Sequence, residues 1–214
     1  MKNPLMLLLV FVLLLCPLGA AGRTWGNDAV RPSRRSIRAA ARQPVVRNPT
    51  MISVRDIRLD RTFSSAEFGA KMQYPSSWER LDLFQRTFPL TLVTMFLSQE
   101  QQPTGIRQNI NLVVEDLPSE MTLAEYTDLG IRMERDYFER YALLLSEDIL
   151  LAGAYRAHRV LFTASLDGGN MTFQQIWMIS GRRAYVWTFA DSAEAFDDHV
   201  MTFERMVDTI TVQR

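Results

Sequence analysis

The feature that most constrains the fold is a period-two alternation that runs into a Tyr-Pro turn. Four apolar side chains recur at every second position, namely Phe68, Ala70, Met72 and Tyr74. This period indicates a strand with one buried face and one solvated face. Pro75 has no N–H for a β-ladder, so the strand is predicted to end there. Trp78 follows the turn and is predicted to cover the sheet edge as a buried core aromatic, with stacking on a ligand as the weaker alternative.

The first residues have the pattern of a secretory signal peptide, which we assign to residues 1–21. Lys2 gives a positive start, an apolar run extends from Leu5 to Leu15, and small residues lead to Gly22. The run is shorter than the ~20 residues of a membrane-spanning helix. Cys16 would be the lipidation site of a lipoprotein, but leucines precede it where a small residue is usual, so lipidation is the weaker alternative. Without Cys16 the mature chain has no cysteine, which excludes disulfides and thiol catalysis.

Residues 22–59 are predicted to form a basic, largely disordered arm. From Arg23 to Arg61 the chain has ten arginines and three aspartates, a net charge of +7. From Thr62 onward it has thirteen basic residues and twenty-one acids, a net charge of −8. The arm is expected to contact anionic lipid headgroups or an acidic protein surface, through Arg31, Arg34, Arg35, Arg38, Arg42 and Arg47. The alternative is a solvated linker, and nucleic acid is not an expected partner of an exported arm.

The middle of the chain predicts two strands followed by one helix. The strands are 91–97 and 109–115, which are rich in apolar and β-branched residues. Thr122 and Glu125 have the spacing of a capping box, so the helix is predicted from Leu123 to Tyr141. Gly130 lies in its apolar stripe and predicts a close approach of the helix to a sheet. The opposite helix face, which carries Glu134, is interpreted as solvated.

The last third predicts four strands and a closing helix. The strands are 143–151, 155–165, 171–179 and 185–190, and the short turns between them favour antiparallel hairpins. The helix is predicted to start at Asp191-Ser192, and its apolar residues are three or four apart: Phe196, Val200, Phe203, Val207 and Ile210. This order predicts an α+β domain with a central antiparallel β-sheet flanked by helices.

Three segments resemble the PsbP-like superfamily of PsbP and DcrB-type exported domains. They are Phe68 to Trp78, Leu151 to Val160, and the stretch from Gly181 to the helix around Phe203. The resemblance implies an αβα sandwich over residues 60–214, in which a central antiparallel sheet lies between helices. It also implies a non-catalytic role in docking on a larger assembly.

Candidate catalytic and metal-binding residues are few. His158 and His199 are the only histidines, and Asp197, Asp198 and His199 would hold a divalent ion weakly at best. No Gly-x-Ser-x-Gly elbow or phosphate-binding loop is present in the sequence. The acid pairs Glu115-Asp116 and Glu147-Asp148 lie near predicted strand ends. We assign no catalytic, cofactor-binding or metal-binding residue, and we expect no cofactor.

Three functions follow as hypotheses. The first is an exported, non-catalytic binding or assembly protein that docks on an envelope or membrane-associated complex. The second is a carrier of a small apolar or lipidic ligand, in a cavity lined by Trp177, Tyr185, Trp187 and Phe189. The third and weakest is a hydrolase. Export predicts a periplasmic or extracellular location, or the thylakoid lumen in a photosynthetic organism.

Overall fold

A computed structural model describes residues 57–100, 107–152, 154–166 and 169–213. The predicted signal peptide, nearly all of the basic arm and the loop at 101–106 lie outside this part of the chain. Among the described residues, no helix has both the length and the apolar character needed to cross a bilayer.

The described chain forms two antiparallel sheets. The smaller sheet has the order β1-β2-β11, with β1 at Arg61–Ser65, β2 at Ala70–Tyr74 and β11 at Thr211–Val212. In β2 the side chains alternate between buried and exposed, which confirms the predicted alternation. The strand ends at Tyr74, and Pro75 accepts a hydrogen bond from the backbone of Trp78. Trp78 is 7% exposed and belongs to the core, as predicted.

The larger sheet has eight strands in the order β3-β5-β6-β10-β9-β8-β7, and β4 pairs with β5. The first four in chain order are β3 (Trp78–Leu81), β4 (Gln85–Thr87), β5 (Leu90–Ser98) and β6 (Asn109–Asp116). The other four are β7 (Glu139–Leu151), β8 (Tyr155–Leu166), β9 (Gly169–Ser180) and β10 (Arg183–Ser192). All neighbouring strands are antiparallel. The sequence predicted six of these eight strands, and it missed the short β3 and β4.

Helix α1 spans Leu123–Tyr137 and starts with the predicted capping box. The Thr122 hydroxyl accepts from the Glu125 backbone N–H at 3.2 Å, and the Glu125 carboxylate accepts from the Thr122 N–H at 2.9 Å. The prediction that the helix continues to Tyr141 was wrong. Phe138 adopts an extended backbone, and its ring packs 5.5 Å from Phe162. The chain therefore leaves the helix to bury this ring and enters β7.

The face of α1 that carries Glu134 is not wholly solvated, which corrects a second prediction. The Glu134 side chain is only 3% exposed. It lies three residues before the helix end, and β7 brings the Tyr141 hydroxyl to 3.3 Å from one of its carboxylate oxygens. Because β7 begins at Glu139, four residues before the predicted strand start and two before the predicted helix end, a position expected to face water is covered instead.

Helix α2 spans Phe196–Val207 and lies on the opposite face of the larger sheet from α1. The predicted start at Asp191-Ser192 was wrong, because both residues still pair with β9 at the end of β10. The predicted apolar stripe is correct from Phe196 to Val207, and Phe203 is fully buried. Ile210 is also fully buried, but it lies beyond the helix end. Two helices on opposite faces of a central antiparallel sheet confirm the α+β prediction.

Candidate functional site

A cavity of about 740 Å³ opens where α1 meets the end of β6. We call it the Glu115 cavity. Six of its lining residues are apolar, namely Phe88, Pro89, Leu117, Pro118, Met121 and Leu129. The remaining four are Glu115, Asp116, Tyr126 and Arg182. An apolar cavity of this size with a few polar groups has the general character of a small-molecule site, for which roughly 300–1,000 Å³ is typical.

The buried polar pair of this cavity is Glu115 with Tyr126. Glu115 is the seventh residue of β6 and is 1% exposed, and Tyr126 lies in the first turn of α1 and is also 1% exposed. The Tyr126 hydroxyl donates to Oε2 of Glu115 at 3.0 Å. Burial raises the pKa of Glu115, although the Tyr126 hydrogen bond opposes this effect. Within the described part of the chain, Glu115 forms no ion pair.

The other charged groups of the cavity are already partnered. Arg182 is exposed, and its guanidinium donates to the carbonyl oxygens of Leu117 at 3.1 Å and Pro118 at 2.5 Å. Asp116 accepts from Nε of Arg183 at 3.2 Å. These contacts hold the chain where β6 ends. They leave Glu115 as the one buried acid in the lining that has no basic partner among the described residues.

The four aromatic residues predicted to line one cavity do not come together. Tyr185, Trp187 and Phe189 alternate along β10 and belong to the core on the α2 face. Trp177 faces α1 instead, because it is paired with Val186 rather than with Trp187. Side chains of neighbouring residues in a strand point to opposite faces. The sheet itself therefore separates Trp177 from the other three, and none of the four lines the Glu115 cavity.

A second feature is the outer edge of β7, the last strand of the larger sheet. Nine of its residues from Ala142 to Leu150 include four exposed leucines, Leu143, Leu144, Leu145 and Leu150, of which Leu150 is 65% exposed. Among the described strands, β7 pairs only with β8. One side of its backbone therefore has no partner strand in the described part of the chain and can pair with another extended segment. The sequence predicted a strand at 143–151, but it did not predict that this strand lies at the edge of the sheet.

His158 lies in a hydrogen-bonded group with two residues of β7. Its Nε2 is 2.8 Å from the Ser146 hydroxyl and its Nδ1 is 2.7 Å from Oδ1 of Asp148. This is the order of contacts in a Ser-His-Asp triad. Asp148 is 88% exposed, however, so water screens its charge, whereas the acid of a triad acts from a buried position. The acid pair Glu147-Asp148 is divided, because Glu147 contacts Arg159 on the other face of the strand.

His199 lies on α2 and contacts the buried end of β10. Its Nδ1 is 2.8 Å from Oδ2 of Asp191, which is fully buried. Burial alone would lower the pKa of His199, but the hydrogen bond and charge of Asp191, together with Glu100 and Asp198, raise it overall. No group of three or more His, Cys, Asp or Glu side chains is placed to hold a metal ion among the described residues. The predicted arm contacts, Arg31, Arg34, Arg35, Arg38, Arg42 and Arg47, lie outside this part of the chain.

Sequence reasoning found Glu115 as an acid near a strand end, but it did not predict its contact with Tyr126. The capping box contained the signal that would have done so. It fixes the first turn of α1, and the short connection after Asp116 then returns that turn to the end of β6. The sequence did not mark Phe88 and Pro89 as site residues, because they lie in the short turn between β4 and β5, and β4 was not predicted.

Comparison with known proteins gives structural matches only. No sequence family and no curated protein matches the chain. The cyanobacterial PsbP of Synechocystis sp. PCC 6803, CyanoP, matches with a TM-score of 0.55 and 14% identity, over 72% of this chain and 92% of that one. LpqN of Mycobacterium tuberculosis, involved in cell envelope biogenesis, matches with a TM-score of 0.53 and 11% identity, over 72% of this chain and 90% of that one.

A third match is PA94 of Pseudomonas aeruginosa, a protein of unknown function described as a putative regulator. It has a TM-score of 0.53 and 12% identity, over 72% of this chain and 97% of that one. Identities this low show a common fold and no common function. The three matches confirm the PsbP-like fold that the sequence predicted.

Proposed function

We propose that the protein is an exported, non-catalytic binding protein that docks on an envelope or membrane-associated assembly. The observation that carries this proposal is the outer edge of β7. A long edge strand with exposed leucines is the kind of surface that soluble proteins usually blunt with charges, bulges or a covering segment. β7 has two register shifts against β8, but four leucines remain exposed along it. The signal-peptide pattern and the fold are consistent with the same role.

The chemistry of β7 specifies the partner. The partner supplies an extended segment that pairs with the free backbone groups of β7, so that main-chain hydrogen bonds give affinity. Its side chains are apolar opposite Leu143, Leu144 and Leu150. Between these apolar positions, the partner segment has a basic residue opposite the exposed Asp148. This arrangement adds a ninth strand to the larger sheet and removes the leucines from water.

A double variant of the edge, Leu144→Lys with Leu150→Lys, is expected to weaken this docking about tenfold or more. The lysines remove apolar contact and place charge on the pairing edge. The measurement is hydrogen–deuterium exchange of β7 amides in the purified protein, with and without a detergent extract of the envelope membranes of the producing cell. Amides on the free side of β7 should become protected with the wild-type protein and should stay unprotected with the variant.

The matched control is Met201→Lys, which changes a 40% exposed apolar side chain on α2, away from β7. It should bind like the wild type. If the edge variant also retains β7 protection, the docking surface lies elsewhere and the proposal fails. If β7 is already protected in a dimer of the purified protein, a second copy occupies the edge and a foreign partner is excluded there.

The basic arm is proposed to add electrostatic attraction to this docking. Deletion of residues 23–49 removes most of the seven net positive charges. It should leave the melting temperature nearly unchanged, because the disordered segment that the sequence predicts would contribute few buried contacts. Binding to vesicles that contain anionic lipid should fall, and its dependence on salt should weaken. Equal sedimentation of the full and shortened proteins with such vesicles at low salt would make the arm a solvated linker.

A second candidate function is that of a carrier for a small amphiphilic or apolar ligand. The Glu115 cavity favours it, since about 740 Å³ with six apolar lining residues exceeds what packing defects leave in a core. This candidate replaces the four predicted aromatic residues by the lining described above. It does not exclude docking, because the cavity and the outer edge of β7 use different residues. Catalysis is not part of either candidate.

A further inference from the structure

We propose that the Glu115 cavity selects an amphiphile that has an apolar body and a single ammonium head group, with Glu115 as the residue that recognises the head. This inference rests on the carrier role proposed above and names the chemistry of its ligand. It follows from three properties of the cavity: an apolar wall, one buried acid that has no basic partner among the described residues, and a hydroxyl that donates to that acid.

The apolar wall sets the body of the ligand. Phe88 is 81% exposed and lies beside Pro89 at the turn between β4 and β5, so its ring is available to an entering molecule. Leu117, Met121 and Leu129 supply aliphatic surface from the end of β6 and from α1. A hydrocarbon chain that enters here leaves water and gains contact with the wall on its whole length. This property alone gives no preference for any head group.

Glu115 determines which head group of the ligand the cavity prefers. A buried carboxyl that forms no ion pair is costly to ionise, and Glu115 forms none among the described residues, so an ammonium group brought by a ligand would supply the missing charge. The Tyr126 hydroxyl already donates a hydrogen bond to Oε2 of Glu115 at 3.0 Å. An ammonium has three N–H donors, which match Oε1 of Glu115 and the free lone pair of the tyrosine oxygen.

Arg182 is the competing determinant, since a guanidinium would favour a carboxylate head. Two facts argue against a preference for a carboxylate head. Arg182 is exposed, so water screens its charge, whereas Glu115 is 1% exposed and acts in a low dielectric. The guanidinium also donates to the carbonyl oxygens of Leu117 and Pro118, and a ligand would have to compete for it. The stronger field in the interior of the cavity is therefore that of the acid.

The test compares decylamine, decanol and decanoate, which share one chain and differ in the head, in binding to the full mature protein by calorimetry below their micellar concentrations. Decylamine should bind at least about tenfold more tightly than decanol, and decanoate most weakly. In Glu115→Gln the preference for the amine should disappear while decanol still binds. The control Asp128→Asn removes an exposed acid of α1 that does not line the cavity, and it should keep the preference.

Each other outcome has a definite meaning. Equal binding of all three probes overturns the ammonium preference and leaves the carrier function standing. Tightest binding of decanoate also overturns it and makes Arg182 the determinant. No binding of any probe to a folded wild-type protein removes the carrier function together with this inference. Thermal melts of both variants establish that each is folded before binding is measured.

Discussion

The free energy of unfolding is expected to fall as pH rises from about 4.5 to about 8, and Glu134 is the main cause. Burial raises the pKa of Glu134 from 4.5 to about 8, while the hydrogen bond from Tyr141 opposes this effect. An acid with a raised pKa in the folded state takes up a proton on folding. Its contribution to stability is therefore complete below the unfolded pKa of 4.5 and is lost as pH rises through about 8. The difference is on the order of 3–5 kcal/mol.

The variant Glu134→Gln isolates this effect. The amide cannot ionise and keeps an oxygen for the Tyr141 hydroxyl, so most of the decline between pH 4.5 and 8 should disappear, and the variant should be more stable than the wild type at pH 8. Urea unfolding at half-unit steps of pH measures the free energy of unfolding of both proteins. The control Glu139→Gln, at an exposed position at the start of β7, should keep the wild-type slope.

Two other groups titrate in the same direction and set the slope that remains in Glu134→Gln. Burial raises the pKa of Glu115, so its contribution also falls above 4.5. The pKa of His199 is raised above 6.5 overall, and the stability from its contact with Asp191 is present below 6.5 and is lost as pH rises through the folded value. A wild-type protein with constant stability from pH 4.5 to 8 would contradict the protonated state of Glu134 at neutral pH.

Local patterns predicted the elements well where the pattern was strong. The alternation in β2, the capping box of α1 and the hairpins of β7 to β10 are set by neighbouring residues, and the structure has them at nearly the predicted positions. The predicted boundaries of elements were wrong where tertiary contacts determine the end of an element. Phe138 leaves the helix because its ring packs between Phe162 and Phe173, which are more than twenty residues away in sequence.

The site was harder to predict than the fold, because it depends on residues that come together only through the sheet. The sequence shows Trp177 and Trp187 as two aromatic residues on neighbouring strands, and it does not show the register that places them on opposite faces. It likewise shows Glu115 as a surface acid. Only the position of α1 over the end of β6 buries its carboxyl beside Tyr126. The exposure of the β7 leucines depends on strand order, which hairpin patterns do not fix at an edge.

The contact between α1 and the sheet gives the second large prediction, at Gly130. A Cβ atom at this position would lie 2.6 Å from Cη2 and 2.8 Å from Cζ3 of Trp177. The Trp177 ring is 2% exposed, and its Nε1 donates to Gln175 at 2.6 Å, so the ring has little freedom to move. This close approach is what the glycine in the apolar stripe predicted. The variant Gly130→Leu should lose about 3 kcal/mol of stability, although leucine has the better helix propensity.

A double variant separates overpacking from other causes. Trp177→Ala alone should cost about 3–5 kcal/mol, because it leaves a cavity under α1. With Gly130→Leu in the same chain, the leucine occupies part of that space. The stability loss of the double variant should therefore be smaller than the sum of the two single losses by more than about 1 kcal/mol. Ala124→Leu, at an exposed position of the same helix, should change stability by less than about 0.5 kcal/mol. Additive losses in the double variant would mean that Gly130 does not contact Trp177 in solution, and that α1 lies farther from the sheet.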